Sequence, residues 1–176
     1  MTYPEIGNVG VNAEDAESRR VYVEGFIVRE YWERPSNWRS TMSLGKYLEE
    51  AGVVGIENID TRALVRHLRT HGAQEAVISS IDLNPESLVR KAKLSPGLVG
   101  RDLVKEVTCA EPYDWDFGDW ELGRGHVRAS SDAMRDAPLV VALDYGIKLN
   151  ILRRLVDRLS GESAAGVVDR GGDSCE

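Results

Sequence analysis

The sequence predicts an α/β fold, on three observations. Helically spaced apolar residues alternate with short β-branched runs from Val21 to Lys93. Composition then shifts at 123–137 to Gly, Ser, Asp and Arg, as in an interdomain linker. Beyond it, Pro138–Leu143 reads as a buried strand and Ile147 to Arg158 as a helix, the first strand-helix unit of a second α/β domain.

Taken in order, Ile6 to Asn12 is turn-rich, with Gly7 and Gly10 as turn glycines, and nothing there predicts a strand. A dinucleotide-binding loop would need a strand before these glycines and a helix directly after them. Asn12 caps a short helix over the acidic run that follows it. Val21–Val28, apolar on both faces, predicts a central strand. Leu44, Tyr47 and Leu48 predict a helix over Ser43–Glu50 that Gly52 ends in a left-handed conformation, and Val53–Ile56 predicts a short strand. Asp60 stands at the N-cap of a helix with Leu64, Val65 and Leu68 on its inner face, stopped at His71-Gly72. Val77–Ile81 predicts a further strand. Asn84-Pro85 then starts a helix to Lys93 with Leu88, Val89 and Ala92 inward. Tyr113, Trp115 and Phe117 alternate as half-buried strand residues do. In the second unit, Ile151, Leu152, Leu155 and Val156 share one helix face. No second strand is expected after it: 159–176 is glycine-rich and polar, with Val167-Val168 as the sole seed.

Among 176 residues, 42% are hydrophobic and 29% charged, the balance of a globular protein. A formal charge of −7 without a segregated basic face argues against a nucleic-acid partner. No apolar run approaches the roughly 20 residues of a membrane span, and the N-terminus lacks signal-peptide features. Cys109 and Cys175 form no paired motif, so neither a disulfide framework nor a zinc site is predicted, and a cytoplasmic location fits.

Six ordered motifs carry a resemblance: Thr2 to Gly10 (TYPEIGNVG), Ser36-Asn37-Trp38-Arg39, Ile59-Asp60-Thr61-Arg62-Ala63-Leu64, Gly72-Ala73-Gln74, Asp102 to Thr108 (DLVKEVT) and Asp144 to Arg153 (DYGIKLNILR). Together they resemble the small, glutamine-amidotransferase subunit of carbamoyl-phosphate synthase, as a truncated fragment. The resemblance implies a layered β/β/α N-terminal domain over 1–122, lacking its start, and the 123–137 linker. After it, 138–158 would begin a class I glutamine amidotransferase domain, and 159–176 is expected to be a divergent, disordered tail. In that family a cysteine thiolate attacks the glutamine amide, a histidine oriented by a glutamate moves protons, and ammonia passes to the large subunit for carbamoyl phosphate synthesis.

Several features of the family have no counterpart here. They are the upstream strands, a glutamine-contacting serine, the glycine-flanked nucleophilic cysteine and the His-x-Glu pair. The expectation is therefore no glutaminase activity, no catalytic residue, and no cofactor or metal; glutamine belongs to the parent protein. The partner implied is the large subunit, with a non-catalytic docking module as the alternative function. Asn37, Arg39, Asp60, Thr61 and Arg62 are the candidate contact or structural residues of the family motifs.

Residues outside the resemblance have simpler readings. Cys109, in an expected strand Val107–Ala110, and Cys175 have no sequence-local base. His67 and His71 have the spacing of two metal ligands on one helix but lack an acidic third ligand, and His71 suits a helix C-terminus without metal. Trp32, Trp38, Trp115 and Trp120 are packing residues or interface anchors.

Overall fold

The computed structural model describes residues 1–130, 132, 138–160 and 166–169. They form two compact units, one of Met1–Asp15 with Arg20–Val99 and the other of Ala16–Arg19 with the chain from Gly100.

The first unit holds two small parallel sheets. Strand β1 (Glu5–Ile6) pairs with β3 (Glu30–Tyr31), and β2 (Gly25–Ile27) with β4 (Val54–Ile56). Strand β1 corrects the reading of the opening as strandless. Its register is fixed by Trp32 N donating to the Ile6 carbonyl at 2.7 Å, and Gly7 follows at φ 109°. A side chain at Gly7 would strike the Trp32 carbonyl and the Tyr31 ring, so glycine answers a close approach as well as a turn. The long central strand expected over Val21–Val28 shortens to three residues in a two-stranded sheet, with β4 as its one neighbour among the described residues; Val28 N also donates to the Ile56 carbonyl at 2.9 Å.

Helix α1 (Leu44–Glu50) begins where Ser43 Oγ accepts from Lys46 N, and Gly52 takes the left-handed φ of 69° expected of it. Leu48 is buried beneath it. Helix α2 (Thr61–His71) has Asp60 as its cap and Gly72 at its end; Leu64 and Leu68 are half-buried. Val65, expected inward, is exposed. Helix α3 (Pro85–Lys93) starts with Asn84 Oδ1 accepting from Glu86 N and Ser87 N. Here too Leu88 and Ala92 are half-buried while Val89 is exposed. The strand expected over Val77–Ile81 does not form. Ile78 instead lies over Gly25 of β2, where a β-carbon would meet its Cδ1 at 2.7 Å. A strand needs a neighbour to satisfy its backbone, and apolar content alone does not supply one.

In the second unit, helix α4 (Val104–Val107) precedes β5 (Tyr113–Trp115). Strands β6 (Phe117–Glu121) and β7 (Gly125–Arg128) form an antiparallel hairpin with a register shift between Phe117 and Trp120. Strand β7 revises the expected linker, whose first residues hold a hairpin turned at Gly123 (φ 78°); 131 and 133–137 lie outside the described residues. Strand β8 (Val140–Leu143) and helix α5 (Leu149–Ser160) fall where a strand and a helix were expected, but the strand is not buried as expected: Val141 and Leu143 are exposed. Helix α5 buries Leu152 and Val156, whereas Ile151 is exposed. Gly118 of β6 is buried against α5, with Asp157 where a β-carbon would stand, and Asp157 Oδ2 accepts from Asp119 N at 3.0 Å.

One expectation is overturned outright. A second strand does arrive: β9 (Gly166–Asp169) runs parallel to β8 and antiparallel to β5, giving the sheet order β5-β9-β8. Val167-Val168 grows into a strand because β8 and β5 both present backbone to it, an arrangement that local composition does not reveal. The remainder of the expected disordered tail, 161–165 and 170–176, lies outside the described residues, and Cys175 with it.

Candidate functional site

The candidate residues fall into two groups, each built by local chemistry. In the first, Asn37 Oδ1 accepts from Arg39 N at 3.2 Å and the Asn37 carbonyl accepts from Ser40 N at 3.0 Å, which closes a tight turn. Arg39 reaches across to the 3-10 turn Ala13–Asp15, contacting Asp15 at 2.8 Å and Glu14 at 3.4 Å. Asn12 secures both ends of this clasp. Its Oδ1 accepts from Glu14 N at 2.9 Å and its Nδ2 donates to the Arg39 carbonyl at 2.8 Å. Trp38, between the two fastened residues, is 75% exposed.

In the second group, Asp60 Oδ1 accepts from Ala63 N at 2.9 Å, so the aspartate caps α2. Thr61 is buried at the first helical position and Arg62 points to solvent. His67 and His71 stack at 4.2 Å, and His71 Nδ1 meets the His67 carbonyl at 3.0 Å. Among the described residues no group of three His, Cys, Asp or Glu is placed to hold a metal ion.

Cys109 was expected in a strand but lies in the irregular segment after α4, between bends at Thr108 and Ala110, and it is 4% exposed. Burial, then the charge and hydrogen bond of Asp144, push its thiol above the ordinary value. A nucleophilic cysteine needs the opposite environment. Tyr113 is likewise pushed up by burial and by Asp144. Asp144 is itself buried, with Oδ1 accepting from Gly146 N and Ile147 N at 2.8 Å each. This carboxylate therefore ties the Cys109 segment to the turn that enters α5. Sequence reasoning missed the tie; Asp144-Tyr145-Gly146 signalled a turn, but its sulphur partner stands 35 positions upstream.

A second unforeseen cluster surrounds the start of α5. Arg153 is buried, donating to Asn150 Oδ1 at 2.8 Å and to the Ala16 carbonyl at 3.2 Å. The Glu17 carbonyl accepts from Leu149 N and its Oε2 from Asn150 N. Arg19 donates to the carbonyls of Val107 and Thr108. Residues 16–19 thus brace α4 and α5, although nothing in their sequence marks them.

These features define an α/β protein whose motif residues are caps, clasps and braces. A family model described as "Carbamoyl-phosphate synthase small chain, CPSase domain" matches residues 1–78. A carbamoyl phosphate synthase small chain from Syntrophotalea carbinolica is 58% identical over 89% of this chain and 41% of its own length. Small chains from Aquifex aeolicus (47% identical over 89% of this chain, 41% of the relative) and Synechocystis sp. (49% over 88%, 40% of the relative) are similar. The chain belongs to the carbamoyl-phosphate synthase small-chain family. It spans about two fifths of the length of the curated relatives it matches. Among the described residues no helix is long and apolar enough to cross a membrane.

Proposed function

We propose that this chain serves carbamoyl-phosphate synthase as a docking part of its small subunit, in the cytoplasm, and does not itself hydrolyse glutamine. The whole small subunit, on the family resemblance, would supply ammonia from glutamine to the large subunit for pyrimidine and arginine synthesis. Residues 1–122 would be the N-terminal docking domain and 138–158 the start of the glutamine amidotransferase domain. The family match over 1–78 supports the first assignment. The compact unit beginning at Gly100 straddles the proposed boundary.

The observation that carries the docking reading is Trp38. Trp38 is 75% exposed on a backbone fastened at both neighbouring residues, so its main chain loses little further entropy on binding, and tryptophan is among the commonest interface anchors. Arg62, projecting from a capped first turn beside the buried Thr61, is a second contact with a fixed base. Against catalysis stands the buried, raised thiol of Cys109.

The test is binding to purified carbamoyl-phosphate synthase large chain, with glutamate release measured in parallel. Trp38→Ala should weaken binding by about tenfold or more without lowering the melting temperature. Equal affinity of Trp38→Ala and wild type would remove Trp38 from the interface.

A further inference from the structure

Helix α5 turns Leu152, Arg153 and Val156 inward and leaves a second stripe outside. Along that stripe runs a cleft of 530 Å³ lined by Lys148, Ile151, Arg154, Leu155 and Arg158, with Glu17 beside the first turn. Ile151 is 51% exposed. Two of the charges are engaged within the unit: Arg154 pairs with Asp119 at 2.7 Å, and Glu17 accepts from Asn150 N. Among the described residues neither Lys148 nor Arg158 has a carboxylate partner. A chain of net charge −7 therefore leaves two cations without a carboxylate partner among the described residues, Lys148 just before α5 and Arg158 in its last turn, at the ends of an apolar strip.

We propose that the outer face of α5 docks an acidic segment of a partner protein. An apolar side chain would sit on Ile151 and Leu155, and carboxylates would stand against Lys148 and Arg158. The proposal rests on the synthetase reading above, which makes the partner the carbamoyl-phosphate synthase large chain. Charge complementarity chooses the occupant: the cations sit at the rim of an apolar strip, the pattern of a protein interface with a charged edge. A nucleic acid has no use for the apolar centre and would meet the repulsion of the whole chain. A second copy would bring another seven net negative charges against this one.

The experiment measures affinity for purified large chain at about 50 mM and about 300 mM salt, between which the Debye length shortens about 2.5-fold. Lys148→Glu with Arg158→Glu should weaken binding by at least about tenfold at low salt, and wild-type affinity should fall as salt rises. Ile151→Ser should weaken it at both salt concentrations. Both charged residues are exposed, so the double variant should keep the wild-type circular dichroism spectrum; should it not, Arg158→Gln and the wild-type salt dependence carry the test. Wild-type binding that is insensitive to salt, or a double variant within about twofold of wild type, overturns the α5 surface and leaves the synthetase reading intact. Absence of any wild-type binding overturns both. Retention on heparin or self-association, either lost in the double variant while large-chain binding persists, would assign the face to a polyanion or a second copy and overturn the proposal.

Discussion

Replacing Asp60 by alanine separates the structural and interface roles of the Ile59-to-Leu64 motif. The Asp60 carboxylate accepts from Ala63 N at 2.9 Å, so alanine leaves one backbone donor of the first turn of α2 without its cap. Loss of such a cap costs about 1 kcal/mol, within a range of about 0.5–2. The negative charge at the helix N-terminus contributes about 0.3–1 kcal/mol beyond the hydrogen bond. Asp60→Asn keeps the acceptor and gives up the charge, so it should recover most of the loss. For a unit of about 60–100 residues, 1 kcal/mol corresponds to a fall of roughly 4–8 °C in melting temperature. Thermal melts followed by far-UV circular dichroism, run on wild type, Asp60→Ala and Asp60→Asn, provide the readout. An alanine variant that melts with wild type, or an asparagine variant as unstable as alanine, would refute the capping argument. Arg62→Ala, at an exposed position, should leave the melt within about 0.5 kcal/mol of wild type while weakening large-chain binding.

Three further outcomes follow from the same geometry. Leu152→Ala should destabilise the second unit by about 2–5 kcal/mol in urea unfolding, because Leu152 is 3% exposed, whereas Ile151→Ala should stay within about 0.5 kcal/mol. Cys109 should resist a thiol reagent in the native chain and react on unfolding. Its raised value makes its contribution complete below the ordinary thiol range and lost as pH rises through the raised value, so the stability advantage of wild type over Cys109→Ala should shrink in alkali. Asp82, held down to about 2 by Lys91, Ser87 and the Asn84 amide, should titrate near there by NMR and move up in Lys91→Ala; its stabilising effect is present above the ordinary aspartate value and fades as pH falls toward 2.

What was legible in the sequence was what residues dictate to their immediate neighbours. Asp60 and Asn84 cap the helices predicted for them, and Gly52 and Gly72 follow the ends predicted for α1 and α2, because capping acts within four residues; Ser43, expected inside its helix, is that helix's cap. Strands were read less well. Val77–Ile81 has the composition of a strand but no ladder, while Gly166–Asp169, set in a polar tail, gains one from β5 and β8. Pairing is a property of distant segments, and so is burial: Val65 and Val89 obey the helical period yet face water. At the candidate site, the role of Asp60 was readable as a cap, whereas Asn37 was marked by its motif alone and its turn onto Arg39 and Ser40 emerges from the structure. The Arg39 clasp onto Glu14 and Asp15 and the Cys109–Asp144 tie were not readable, since each joins residues more than 20 positions apart. The six family motifs pointed to the family that the relatives support.

The most direct test of the account is one titration of this chain into purified carbamoyl-phosphate synthase large chain, with glutamine present and glutamate measured at the end. The account predicts a saturable complex that is weakened by Trp38→Ala, and no glutamate formed by the chain. Glutamate release by the chain, or the absence of a complex at any concentration, would contradict it.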